Sequence, residues 1–215
     1  MGGESLCVFT SGGSAGEKLR ELVKKESVVF EAIETESLTR ESLIAVDDNT
    51  NSQYLFSFPG PLITSAEQDK IIQTIQKFKS EYLVLSGSLN EGLSADFYAI
   101  IVDLAKASDT KIIADTSGDA LKKVLEKGVY LIKPNLGELA KLIGVERLEM
   151  EEVEASARAL IKKGNAEIVV VSLGSKGAIM VTLDQTEFVA APNVAKKSTV
   201  GAGDSMVGGM VWALS

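Results

Sequence analysis

From about residue 82 onward, short β-rich runs alternate with longer stretches of helical period, the pattern of βαβ units that build a mostly parallel sheet. Tyr82–Ser86 reads as a buried strand, followed by a helix stripe of Phe97, Ile100, Ile101 and Leu104. Lys111–Asp115 is the next strand, and a helix through Ala120, Leu121, Val124 and Leu125 is expected to stop at Gly128. Residues 130–132 then start a third strand. A short helix is predicted over Leu136–Ile143, and a longer one over 150–163 with Val153, Ala157, Leu160 and Ile161 on one face. Residues 168–173 form a fourth strand. Residues 177–183 and 187–191 read as an antiparallel pair, and a final helix begins near Gly201.

The first third is less regular. Residues 6–10 predict a strand, 15–25 a helix, and 39–46 with 53–58 a strand pair joined by a polar turn. The alternation of Leu43 and Ala45, then Tyr54, Phe56 and Phe58, predicts a small sheet exposed on one face, a lid-like hairpin over 39–58. The 215 residues are 45% hydrophobic, enough for one substantial core, so a single domain spanning 1–215 is expected.

Charge and composition then remove whole classes of chemistry. A formal charge of -8 without any basic run argues against nucleic acid as a partner. It does not argue against small phosphates, which backbone N–H groups at helix starts bind without net positive charge. The single cysteine, Cys7, has no partner for an intramolecular disulfide, which fits a cytoplasmic protein. No run is long enough to span a membrane, and no membrane partner is expected. With His absent, Ser-His-Asp and Cys-His systems are excluded, and general base work falls to a carboxylate, Lys or Tyr.

The densest candidate chemistry is the segment 198–209, where Gly201 and Gly203 lead directly into a helix with Asp204 in its first turn. Unpaired N–H groups and the positive end of the helix dipole converge there, an arrangement that holds an anion. In phosphoryl transfer, such amides stabilise developing charge while a carboxylate takes the acceptor hydroxyl's proton. The alternative is a glycine-rich turn with Asp204 as a dipole partner, worth under about 1 kcal/mol. A dinucleotide fingerprint is excluded, because Met206 occupies the third glycine position.

Thr199-Val200-Gly201-Ala202-Gly203-Asp204-Ser205 resembles the C-terminal signature of ribokinase-like carbohydrate kinases. Ser86-Gly87-Ser88-Leu89, Asp115-Thr116-Ser117-Gly118, Lys133-Pro134-Asn135-Leu136-Gly137-Glu138 and Ser172-Leu173-Gly174-Ser175-Lys176-Gly177 stand in that family's order and spacing. The resemblance is strongest to its phosphosugar branch, and Phe58-Pro59-Gly60-Pro61 with Met206-Val207-Gly208 look most like the B-type 6-phosphofructokinases. It implies a three-layer α/β/α ribokinase-like fold with a mostly parallel sheet and a small β lid. The implied activity is transfer of the ATP γ-phosphoryl to a phosphosugar. Fructose 6-phosphate at O1 is the leading acceptor, with tagatose 6-phosphate or fructose 1-phosphate as alternatives, and a nucleotide-binding chain without activity as another.

The resemblance also assigns roles. Asp204 is the catalytic base and a substrate contact, and Gly201, Ala202 and Gly203 supply the anion-hole amides. Lys133, Asn135, Ser172, Gly174, Gly177 and Thr199 match nucleotide-side positions. Asn135 and Glu138 match positions that organise Mg²⁺ and its waters; potassium dependence is left open. Arg40 matches a residue gripping the sugar's existing phosphate, and Ser88 a sugar contact. Each has a plainer reading. Asn135 with Glu138 is also a helix capping box, Ser172 to Gly177 a tight turn, Arg40 a surface cation and Ser88 a turn hydroxyl. Set against the family pattern, the chain reads as incomplete at both termini, and homodimerisation through the lid sheet is the implied assembly.

Overall fold

The structure, a computed structural model, describes residues 4–47, 50, 52–194 and 200–215, with Gln53 described in its backbone alone. The chain divides into two compact units, Gly2–Phe78 with Leu89–Ser94, and Lys79–Ser88 with Ala95–Ser215.

In the first unit β1 (Leu6–Ser11), α1 (Gly13–Lys25) and β2 (Val29–Glu34) form a βαβ turn, β1 and β2 pairing in parallel from Leu6↔Val29 to Ser11↔Glu34. β3 (Ser42–Asp47) and β4 (Ser52–Ser57) make a separate antiparallel hairpin. α2 (Ser65–Lys77) follows, opened by a capping box in which Thr64 and Glu67 satisfy each other's backbone N–H groups. The hairpin corrects one expectation. Leu43, paired with Phe56, and Leu55, paired with Ile44, lie on opposite faces and are 60% and 66% exposed, so both faces of this ribbon are open within its unit. Two strands have only their own side chains to cover them, and a lone hairpin cannot bury either face.

The second unit contains β5 (Tyr82–Ser86), α3 (Phe97–Lys106), β6 (Lys111–Asp115), α4 (Gly118–Lys127), β7 (Val129–Ile132) and α5 (Leu136–Ile143). It continues through α6 (Val153–Lys162), β8 (Ala166–Ser172), β9 (Ala178–Val181), β10 (Thr186–Val189) and α7 (Ala202–Leu214). The six strands are ordered β10-β9-β8-β7-β6-β5, with β5 to β8 parallel and the last two antiparallel.

Period-two alternation divides this sheet into two faces. Ile112, Ala114, Ile132, Val169 and Val171 form a fully buried row beneath α3 and α6. Ile113, Leu131 and Val170 occupy the opposite phase and pack against Val207 of α7, ringed by Tyr82, Val84, Ile168, Met180 and Met210. Helices therefore cover both faces, which gives the three layers that the family resemblance implies. The last turn of α7 returns to the start of β5, where the Tyr82 hydroxyl donates to the Leu214 carbonyl at 3.1 Å. α7 thus runs antiparallel to β5, and its first turn lies toward the strands' carboxyl ends.

Candidate active site

The same alternation that buries Ile113, Leu131 and Val170 places the next residue of that phase at each strand end: Asp115, Lys133 and Ser172. These polar residues thus share the face that α7 covers, one step beyond the apolar cluster. Lys133 is 8% exposed, and its Nζ lies 3.1 Å from Oδ1 of Asp115, itself 19% exposed. Burying an ammonium in this way requires a counter-charge, which Asp115 supplies.

Gly201 is the N-cap of α7 at φ 76°, a left-handed conformation that suits glycine and turns the chain abruptly into the helix. Ser205 N–H donates to Gly201 O at 2.8 Å, which leaves the N–H groups of Ala202, Gly203 and Asp204 without carbonyl acceptors inside the helix. No side chain among the described residues caps this turn. Asp204 is exposed there. A β-carbon on Gly203 would stand 3.4 Å from Lys133 Nζ, so the buried ammonium sits directly beside the first turn of α7. Open amides and a cation therefore meet at the first turn of α7, which also carries Asp204, a combination suited to holding an anion next to a general base.

Asn135 is the N-cap of α5 and completes the expected capping box. Its Oδ1 accepts the Glu138 N–H at 2.9 Å, while Glu138 Oε2 accepts the Asn135 N–H at 2.8 Å. An isolated parallel bridge joins Asn135 to Ser172, and Ser172 N–H donates to Pro134 O at 2.9 Å. The ladder thus extends past β7 and β8 and fixes the cap beside the Ser172 turn. In that turn Leu173 N–H donates to Gly177 O at 2.8 Å, and Gly177 takes φ 115° where its Cα approaches the β10 backbone. Among the described residues no group of three acidic, His or Cys side chains gathers as a metal site.

Ser88 follows β5 and is exposed. Its turn is tied to the Asp115 strand end by Gly87 N–H to Asp115 O at 3.0 Å and Thr116 Oγ1 to Gly87 O at 2.8 Å. Arg40 belongs to the first unit, exposed, two residues ahead of β3. Thr199 and the neighbouring Ser198 lie outside the described residues. Asp115 received no role from sequence reasoning, although a charged residue continuing the phase of a buried strand was a readable signal.

A mostly parallel sheet between helix layers, with a helix start of open amides over the strands' carboxyl ends, defines a ribokinase-like α/β fold. The chain belongs to the pfkB family of carbohydrate kinases, whose family model matches residues 1–215. It is 38% identical over 217 residues to the ATP-dependent 6-phosphofructokinase isozyme 2 of Mycobacterium tuberculosis, covering 100% of this chain and 64% of the relative. It therefore spans somewhat less than two thirds of that relative's length. Tagatose-6-phosphate kinase of Staphylococcus epidermidis is 31% identical, with 94% of this chain and 66% of that enzyme covered. Phosphofructokinase-2 from Escherichia coli, solved with substrates and products, superposes with a TM-score of 0.94 at 34% identity, covering 99% of this chain and 70% of that one. The same enzyme has been solved with potassium and in a tetrameric inhibited form.

Proposed function

We propose that this chain carries the phosphoryl-transfer site of a phosphosugar kinase, with fructose 6-phosphate as acceptor at O1 and ATP as donor. The observation that carries the reading is the first turn of α7, which bears Asp204 and whose open amides stand beside a buried ammonium. Asp204 takes the proton of the acceptor hydroxyl. The amides of Ala202 and Gly203, with Lys133, hold the negative oxygens of the group being transferred. Ser172, Gly174, Gly177 and Thr199 belong to the nucleotide side, Ser88 to the sugar, and Arg40 grips the sugar's existing phosphate through its fork of donors.

Asn135 and Glu138 fit Mg²⁺ held through water. The cap occupies Oε2 of Glu138 and leaves Oε1 for a second partner, and two residues without a wider acidic cluster do not enclose a bare ion. When bound, the ion neutralises phosphate charge. Potassium is a further cofactor to test, since E. coli phosphofructokinase-2 has been solved with it. The hairpin β3–β4 serves as a lid and, through its open faces, as the contact for a second copy of this chain. No helix among the described residues is long and apolar enough to cross a membrane. A cytoplasmic setting, expected from the lone cysteine, is part of the proposal.

Tagatose 6-phosphate is the second reading, supported by the 31% identity to a kinase of that name. The test is Mg-ATP turnover with fructose 6-phosphate, tagatose 6-phosphate and fructose 1-phosphate, beside Asp204→Asn. Sugar-dependent ADP release lost in that variant supports the kinase and identifies its acceptor. ADP release equal in both proteins for every sugar overturns an active kinase. Thermal stabilisation by Mg-ATP would then separate a nucleotide binder from a chain that binds none.

A further inference from the structure

Asp115 and Lys133 are each the second residue beyond a register pair, Ile113↔Leu131, whose side chains meet under α7. The alternation of the two strands therefore carries both side chains to the same face, next to one another, at the carboxyl edge of the sheet. Of the three N–H bonds of the Lys133 ammonium, one faces Asp115 Oδ1 at 3.1 Å. On the α7 side the ammonium meets Gly203, whose missing side chain leaves that approach open. A lysine stem has four rotatable bonds, so this placement needs something to fix it. The apolar cluster gives shape below, and Asp115 is the ion-pair partner of Lys133 among the described residues.

We propose that Asp115 is a positioning residue of the transfer site: it holds the Lys133 ammonium against Gly203, so that the remaining N–H donors point into the turn that Asp204 shares. This rests on the function proposed above and extends it to a residue that touches neither sugar nor nucleotide. Without the Asp115 carboxylate the ammonium is buried with no counter-charge among the described residues and swings toward solvent, away from the α7 amides. Gly203 belongs to the same device, because a β-carbon there would already touch Nζ at 3.4 Å and a larger side chain would crowd it.

The experiment is steady-state turnover of the full chain with Mg-ATP and fructose 6-phosphate, for wild type, Asp115→Asn, Lys133→Met, the double variant and Asp115→Glu. Each single loss lowers kcat on the order of a hundredfold, as for removal of one oxyanion donor, while KM for the sugar holds within about twofold. The double variant is no slower than Lys133→Met, since Asp115 acts only through that lysine. Asp115→Glu keeps the carboxylate and recovers much of kcat, a rescue that a merely structural pair would not show in the rate. It also serves as the readable variant should Asp115→Asn fold poorly.

Wild-type turnover with an Asp115→Asn kcat unchanged, or losses that multiply in the double variant, overturns this inference and leaves the kinase reading intact. No wild-type turnover, together with no thermal stabilisation by Mg-ATP or by inorganic tripolyphosphate, overturns both. Should wild type bind without turning over, the tripolyphosphate-induced shift becomes the readout. It then shrinks equally in Asp115→Asn and Lys133→Met, and an Asp115→Asn shift equal to wild type overturns the positioning role.

Discussion

Oε1 of Glu67 accepts the backbone N–H of Glu36 at 2.7 Å, joining the start of α2 to the segment after β2 across 31 positions of sequence. Its Oε2 accepts the Thr64 N–H, also at 2.7 Å, and the residue is only 3% exposed. Burial pushes this carboxyl up, but the hydrogen bonds from Thr64 and Glu36 outweigh it and hold the group below the usual glutamate range. Replacing Glu67 with Leu strands both donors and should lower stability by about 2 kcal/mol, read from urea midpoints. The sign with pH follows from the lowered value. The contribution is full above the ordinary glutamate range and is lost as pH falls through the folded value, so wild type and variant converge in acid.

The helix cap formed by Asn135 and Glu138 and the Mg²⁺ role proposed for them can be separated by substitution. Serine caps a helix about as well as asparagine, and glutamine can return the reciprocal bond, so Asn135→Ser and Glu138→Gln should keep the melting temperature near wild type. If these residues also hold the waters of Mg²⁺, both variants require more Mg²⁺ for half-maximal turnover. Unchanged Mg²⁺ dependence would leave them as caps alone.

Gly177 tolerates no side chain. At φ 115° a β-carbon would meet Val189 O at 2.0 Å and Ala191 N at 2.8 Å. Gly177→Ala must therefore move β10 as well as strain its own backbone, the strain alone costing roughly 1–3 kcal/mol. The loss should appear as a lower melting temperature with faster amide exchange across β9 and β10.

The hairpin ribbon offers a cleaner test of assembly than of folding. Leu43 and Leu55 are open on opposite faces, so a lysine at either position would remove apolar contact with the proposed second copy while leaving the ladder hydrogen bonds in place. Leu43→Lys and Leu55→Lys, run by sedimentation velocity beside wild type, should shift the protein toward monomer for whichever face is used. A dimer that survives both substitutions places the contact elsewhere.

Where local chemistry and periodicity agreed, the sequence was easy to read. α5 matches its expected bounds, Leu136–Ile143, because the Asn135 cap and Gly144 bracket it; β5 and β6 match because both are short apolar runs. β2 and α2 were not anticipated. In β2, Glu31 and Glu34 interrupt the apolar phase and Val29 is exposed, so no clean alternation shows. α2 is a polar helix whose Thr64–Glu67 capping box was the available signal. The first turn of α7 was legible because Gly201, Gly203 and Asp204 are adjacent in sequence. The Asp115–Lys133 pair was not, since it joins two strands and becomes visible only once Ile113 and Leu131 are known to be in register.

The hydrogen bond from the Tyr82 hydroxyl to the Leu214 carbonyl spans 132 positions, and it bears on the order of events during synthesis. β5 leaves the ribosome well before α7, and the face of the sheet carrying Tyr82, Val84 and Ile113 waits until α7 covers it. At about 5–20 residues per second, that wait lasts roughly seven to twenty-six seconds. A nascent chain exposing aromatic and branched residues for that long is a natural client for a chaperone.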